Sequence, residues 1–200
     1  MEVPNSSTEQ RRLAKRLVRE MGGDALRLAE ELRSGDWRER SLACFIYGWA
    51  GCSDPGPAFP PLREMASDPD WRVREAVATA LTEISRRREA DFLREVSAWI
   101  SDPDPRVRRA AVESLRVLAR REPEEVLPLL ERVRFESDGY AVRAVGHILR
   151  EMAKADPDLV RRVCLRWASE GASRPVRLAL RKLPPEARRE VESALEAGRG

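Results

Sequence analysis

Ser67-Asp68-Pro69-Asp70-Trp71-Arg72-Val73-Arg74-Glu75-Ala76 and Ser101-Asp102-Pro103-Asp104-Pro105-Arg106-Val107-Arg108-Arg109-Ala110 align without a gap at an offset of 34 residues. The offset holds well beyond these two stretches. Leu81, Leu115, Leu149 and Leu183 fall in one column, and Arg109, Arg143 and Arg177 fall in another headed by Glu75. Backward, Trp71 lands on Trp37, Arg72 on Arg38 and Arg74 on Arg40. Self-similarity at a fixed period of this length is the mark of a repeat architecture, in which each unit buries its apolar face against its neighbours.

Within a unit the periodicity is helical. Val73, Ala76, Val77, Ala80, Leu81 and Ile84 recur at three- and four-residue spacing, and Val107, Ala110, Ala111, Leu115 and Leu118 repeat the stripe. The spacing predicts second helices over Trp71–Ser85, Arg106–Arg120 and Ala141–Ala155. It places first helices at Asp91–Ser101, Glu124–Phe135 and Asp158–Ser169. The Asp-Pro-Asp turns supply capping oxygens, and their prolines end one helix while pre-setting φ for the next. Thr8–Met21 and Asp24–Ser34 are helical by pattern but fit the repeat poorly, as a capping element would. Residues 1–35 are therefore expected as a cap and 36–200 as five repeat units of a single domain. Cys52–Pro61, with four prolines, reads as an extended loop between units. The fold class that follows is all-α, a right-handed α-α superhelix. The period is near that of tetratricopeptide repeats, whose Trp-x2-Leu-Gly-x2-Tyr pattern is absent. An acidic-Pro turn followed by Val-Arg-x-Ala-Ala resembles HEAT-like repeats instead.

Composition narrows the function. The chain has 200 residues, 36% of them charged and 42% apolar, which excludes disorder through lack of a core. No apolar run approaches the roughly 18 residues of a membrane span. Met1–Ser7 lacks a basic start leading into an apolar stretch, so no signal peptide is expected. Cys44, Cys52 and Cys164 are far apart and unpaired in pattern, which fits reduced thiols in a cytoplasmic protein. Of 37 basic residues only Lys15, Lys154 and Lys182 are lysines. The arginines offer many planar donors suited to phosphate. The sequence carries no Gly-rich phosphate loop and no Gly-x-Ser-x-Gly, and its single histidine, His147, excludes a site needing two histidine ligands. Chemistry must rest on carboxylates, arginines and aromatics. Equal repeat positions form a ladder across one inner, concave surface. Glu75, Arg109, Arg143 and Arg177 make one such ladder, with Trp71 a turn before Glu75, Thr79 a turn after it, and His147 a turn after Arg143.

From about Asp36 to Leu183 the chain resembles the HEAT-like DNA alkylation-repair glycosylases of the AlkC/AlkD type. The stretch that carries the resemblance is Ala144-Val145-Gly146-His147-Ile148-Leu149-Arg150-Glu151-Met152-Ala153-Lys154, where the family reads apolar-Gly-Trp-x-Leu-Arg-Glu-x-Ala-Lys. Arg174–Leu183 followed by Pro184 resembles the family's closing pattern. The resemblance implies excision of N3- or N7-alkylated purines from double-stranded DNA. The reaction would need no metal and no cofactor, and the protein would act as a monomer without membrane contact. The family's Trp-x-x-x-Asp matches Trp71-Arg72-Val73-Arg74-Glu75, so Trp71 and Glu75 are the implied catalytic pair, with a carboxylate one methylene longer. The family's phosphate-holding arginine matches Arg109, its ladder continues to Arg143, and its second cavity tryptophan matches His147, a departure. Arg109, Arg143 and His147 are the implied DNA-binding set. The alternative is a non-catalytic HEAT-repeat scaffold holding a protein or nucleic acid on its concave face.

Overall fold

The computed structural model describes residues 2–198. Among them every regular element is helical. None of these helices is long and apolar enough to cross a membrane. The chain divides into two compact units, Met1–Trp99 and Ile100–Gly200.

The first unit holds α1 (Ser7–Met21), α2 (Asp24–Leu32), α3 (Trp37–Gly51), α4 (Phe59–Met65), α5 (Trp71–Ser85) and α6 (Glu89–Trp99). Its centre is α3, packed against α1, α2 and α5 and buried continuously from Ser41 to Gly48. Gly48 permits the approach of α5, since a Cβ there would stand 2.8 Å from the Ala80 Cα. Leu81 is fully buried in this core. The expected loop at Cys52–Pro61 is partly helical: a 3-10 turn covers Gly56–Ala58, and α4 begins at Phe59. Pro60 and Pro61 sit in the first turn of α4, where a missing N–H costs nothing. That is why a proline-rich stretch here starts a helix.

The second unit holds α7 (Pro105–Ser114), α8 (Arg116–Arg121), α9 (Pro123–Glu131), α10 (Gly139–Met152), α11 (Pro157–Ser169), α12 (Ser173–Ala179) and α13 (Pro185–Ala197). Here α10 is central, against α7, α8 and α12. Leu115, Leu149 and Leu183 are buried in this unit. The helix expected over Arg106–Arg120 is interrupted at Leu115. There the Ser114 hydroxyl donates to the Ala111 carbonyl at 2.7 Å and competes with the helical ladder.

The 34-residue repeat is written into the helix starts. Asp36, Asp70, Asp104 and Asp138 are the N-caps of α3, α5, α7 and α10, each accepting from backbone N–H two residues on. Two residues before three of these caps, Asp68, Asp102 and Glu136 accept the cap's own N–H. An arginine column clamps these turns. Arg40 pairs with Asp68 at 2.7 Å, and Arg108 pairs with Glu136 at 2.6 Å while donating to the Asp102 and Pro103 carbonyls. Arg74 donates to the Asp68 and Pro69 carbonyls in the same way. The protein is thus an all-α helical-repeat fold of the HEAT-like kind.

Candidate active site in the first unit

Two stripes of equivalent residues face each other across a cavity of about 240 Å³. On α3 the stripe is Trp37, Ser41 and Phe45, and on α5 it is Trp71, Glu75 and Thr79. Each steps by four residues, so each lies along one helix face, and the two are related by the 34-residue offset. Gln10 of α1 closes the cavity from a third side. Gln10, Ser41 and Phe45 are buried, whereas Trp71 is 62% exposed and Glu75 is exposed. The cavity therefore has a deep floor and a rim carrying an indole and a carboxylate.

The walls are held by named contacts. The Arg72 guanidinium lies 3.7 Å from the centre of the Trp37 ring and is anchored to Asp70 by two bonds of 2.9 and 2.6 Å. The Arg72 hydrogen bond holds the Asp70 carboxyl down at about 2, so this pair stays ionic. Gln10 donates to the Pro4 carbonyl at 2.7 Å, and Thr79 donates to the Glu75 carbonyl at 2.9 Å. The Ser41 Oγ is buried with no hydrogen-bond partner. A larger, shallower depression lies along the outer face of α1 among Glu9, Arg12 and Arg16. It is an open, charged surface without converging groups.

Arg109, Arg143 and His147 lie in the second unit. Arg109 is half-buried on α7 and Arg143 is exposed on α10. The Arg143 Nε donates to the Gly139 carbonyl at 2.8 Å, and its guanidinium lies 4.8 Å from the centre of the exposed Tyr140 ring. His147 is tied inward, its Nδ1 2.8 Å from a Glu113 oxygen and its Nε2 3.6 Å from Glu151. Both of its ring nitrogens thus face carboxylates. The segment behind the family resemblance does packing work as well. A Cβ on Gly146 would stand 2.4 Å from that of Leu178, Arg150 donates to the Leu178 carbonyl, and Glu151 is paired with Arg120 and Lys154.

This cavity pairs the Trp-x-x-x-carboxylate stripe of α5 with its own repeat, and the sequence as a whole places it in a family. The stretch 6–183 matches the family described as DNA alkylation repair enzyme. The chain belongs to that family. Two solved structures share the fold. One is smu.31 from Streptococcus mutans UA159, 24% identical with a TM-score of 0.79 over 88% of this chain and 92% of that one. The other is AlkD2 from Streptococcus mutans, 23% identical with a TM-score of 0.74 over 97% and 90%. A comparison with curated protein sequences finds no match.

Sequence reasoning missed Gln10 and Ser41. Both are polar residues in helices whose neighbours form the core, and that mismatch was the available signal. Burial raises all three thiols, that of Cys164 up to about 12 and that of Cys44 higher still.

Proposed function

We propose that this alkylation-repair family member is a DNA glycosylase that releases N3- or N7-alkylated purines. Trp71 and Glu75 are its catalytic residues, and Arg109 and Arg143 are its contacts to backbone phosphate. What carries the reading is the placement of Glu75, one turn after an exposed indole at the mouth of a cavity. An alkylated purine is already cationic. When its glycosidic bond breaks, the bonding pair neutralises the ring, so no general acid is needed, unlike the carboxyl pair of sugar hydrolysis. Positive charge passes to C1′, where the Glu75 carboxylate opposes it, and water then adds and gives up a proton to the same carboxylate. Trp71 offers an apolar surface to the deoxyribose beside that charge.

Arg109 and Arg143 fit the second requirement, which is grip without sequence readout. His147 belongs to this DNA-facing set by repeat position. With its nitrogens engaged by Glu113 and Glu151, it acts through the placement of its ring and not as a phosphate donor. The test is single-turnover base release from duplex DNA carrying N7-methylguanine. Release faster than from DNA alone, suppressed by Glu75→Gln, supports the reading. Release by the wild type no faster than from DNA alone overturns it.

A further inference from the structure

We propose that Tyr140 is a positioning residue for DNA binding, which holds the Arg143 guanidinium in place for one backbone phosphate. The inference rests on the reading of Arg143 as a phosphate contact and adds the group that sets its geometry. The repeat marks Tyr140 as a departure. At the 34-residue offset its column reads Arg38, Arg72, Arg106, Tyr140 and Arg174. In the first unit the arginines of this column serve the helix start. Arg38 bonds the carboxylate of its own N-cap, Asp36, and Arg72 bonds that of Asp70. A tyrosine cannot take that part. Asp138, the N-cap of α10, accepts instead from the backbone N–H groups of Tyr140 and Ala141, at 2.8 and 2.9 Å. The Tyr140 side chain is left outside the cap and the core, 62% exposed. Neither capping nor packing accounts for it.

What the ring meets is Arg143, one turn on. The guanidinium lies 4.8 Å from the ring centre, and its Nε donates to the Gly139 carbonyl at 2.8 Å. These two contacts fix the direction of a long side chain while using only Nε. Among the described residues Nη1 and Nη2 have no hydrogen bond and no ion pair. Other arginines of this unit are committed to carboxylates, Arg108 to Glu136 and Arg120 to Glu151. Arg143 thus keeps its charge and a two-pronged edge, which a phosphate takes with two parallel bonds. Those bonds lie in the guanidinium plane, so the face stays on the Tyr140 ring while the edge holds the anion. A loose arginine gives up rotamer freedom on binding, and one already held by Tyr140 gives up less. A second guanidinium stands at the same helix start. Arg174 donates through Nη1 to the carbonyl of Ser137, the residue before the cap, at 2.5 Å.

The test measures duplex DNA affinity over a salt series for variants of the full chain, with melting temperatures to verify that each is folded. Arg143→Ala should weaken binding and lower the salt slope by about one unit. Tyr140→Ala should weaken binding by about two- to fivefold, the fold-change of one exposed cation–π contact, and leave the slope where it was. The charge is still present, and only its placement is lost. Tyr140→Phe should bind as the wild type does, because the ring and not the hydroxyl holds the guanidinium. With Arg143 already replaced by Ala, Tyr140→Ala should have no further effect. Wild-type affinity in Tyr140→Ala, failure of Phe to restore binding, or an equal loss with and without Arg143 overturns the positioning role and leaves the Arg143 contact standing. Unchanged affinity and slope in Arg143→Ala overturn both. Binding that depends on Tyr140 through Arg143, in a protein that releases no base, supports the positioning role and refutes the glycosylase reading.

Discussion

Ser41 and Glu75 hold the same place in successive repeats, yet one forms the buried floor of a cavity and the other its exposed rim. The difference comes from α1, which packs on α3 and brings Gln10 over Ser41. A repeat position that would be a solvated surface thus becomes the inside of a site. The carboxylate of Glu75, and not merely its polarity, should matter. Glu75→Gln should lower single-turnover release of N7-methylguanine by about 10²–10³-fold, the scale of losing one electrostatic stabiliser. Glu75→Asp keeps the charge and should retain most of the rate. Equal rates in the wild type and the Gln variant would move the chemistry elsewhere.

Two arginine columns, adjacent in sequence, should separate cleanly in experiment. Arg109→Ala with Arg143→Ala should weaken duplex binding with little regard to sequence and lower the salt slope by about one unit per lost contact. Arg108→Ala should act on stability instead. Arg108 holds Glu136, whose side chain is 4% exposed, and it also ties down the Asp102 and Pro103 carbonyls. Removing it leaves the Glu136 carboxylate with only the Ser137 and Asp138 N–H groups as partners, at a cost of about 1–3 kcal/mol in denaturant unfolding. A double variant that binds DNA with unchanged affinity and slope would make the second column structural too.

The helical repeat was legible because its period is short and its caps are chemical. Asp36, Asp70, Asp104 and Asp138 announce four helix starts, and α5 runs over the residues its apolar stripe predicted. What escaped the sequence was what packs on what. The prolines of Cys52–Pro61 look like a loop unless α4 is known to begin there. The break at Leu115 falls within an unbroken apolar stripe, and nothing in the spacing announces it. Trp71 and Glu75 were singled out by the resemblance of their stretch to the family's Trp-x-x-x-Asp. The cavity beside them was not, because Gln10 lies outside the repeat and Ser41 reads as an ordinary ladder position until α1 covers it.

Core packing offers a check with two opposite errors. Leu115 is fully buried, and Leu115→Ala should cost about 2–5 kcal/mol of stability. Gly146 fails in the other direction. Its absent side chain lets α10 meet α12, and a Cβ there would lie 2.4 Å from that of Leu178. Gly146→Ala should cost about 1–3 kcal/mol by overpacking, even though alanine is the better helix former. Denaturant unfolding in which Gly146→Ala matched or exceeded the wild type would show that α10 and α12 are not in close contact.

Acid should attack the second unit through Glu151. Burial by itself would raise this carboxyl, but the Arg120 hydrogen bond, followed by that of Lys154, holds it at about 2 from an ordinary 4.5. His147 faces the same carboxylate with its Nε2 at 3.6 Å. A carboxyl whose folded value lies below its unfolded value binds fewer protons in the folded state. Its stabilising contribution is complete above about pH 4.5 and drains away as pH falls toward 2. Glu136 shifts the same way. Burial opposes its ionisation, and the Arg108 hydrogen bond prevails. Glu151→Gln should therefore melt at a lower temperature than the wild type near neutral pH, because Arg120 and Lys154 lose their anion. Its melting temperature should then fall less steeply as the buffer is taken down to about pH 3, until the two curves converge. Thermal melts of both proteins across that range read the difference directly. Parallel curves would mean that Glu151 has the same proton affinity folded and unfolded, and that its ion pairs with Arg120 and Lys154 contribute nothing to the fold.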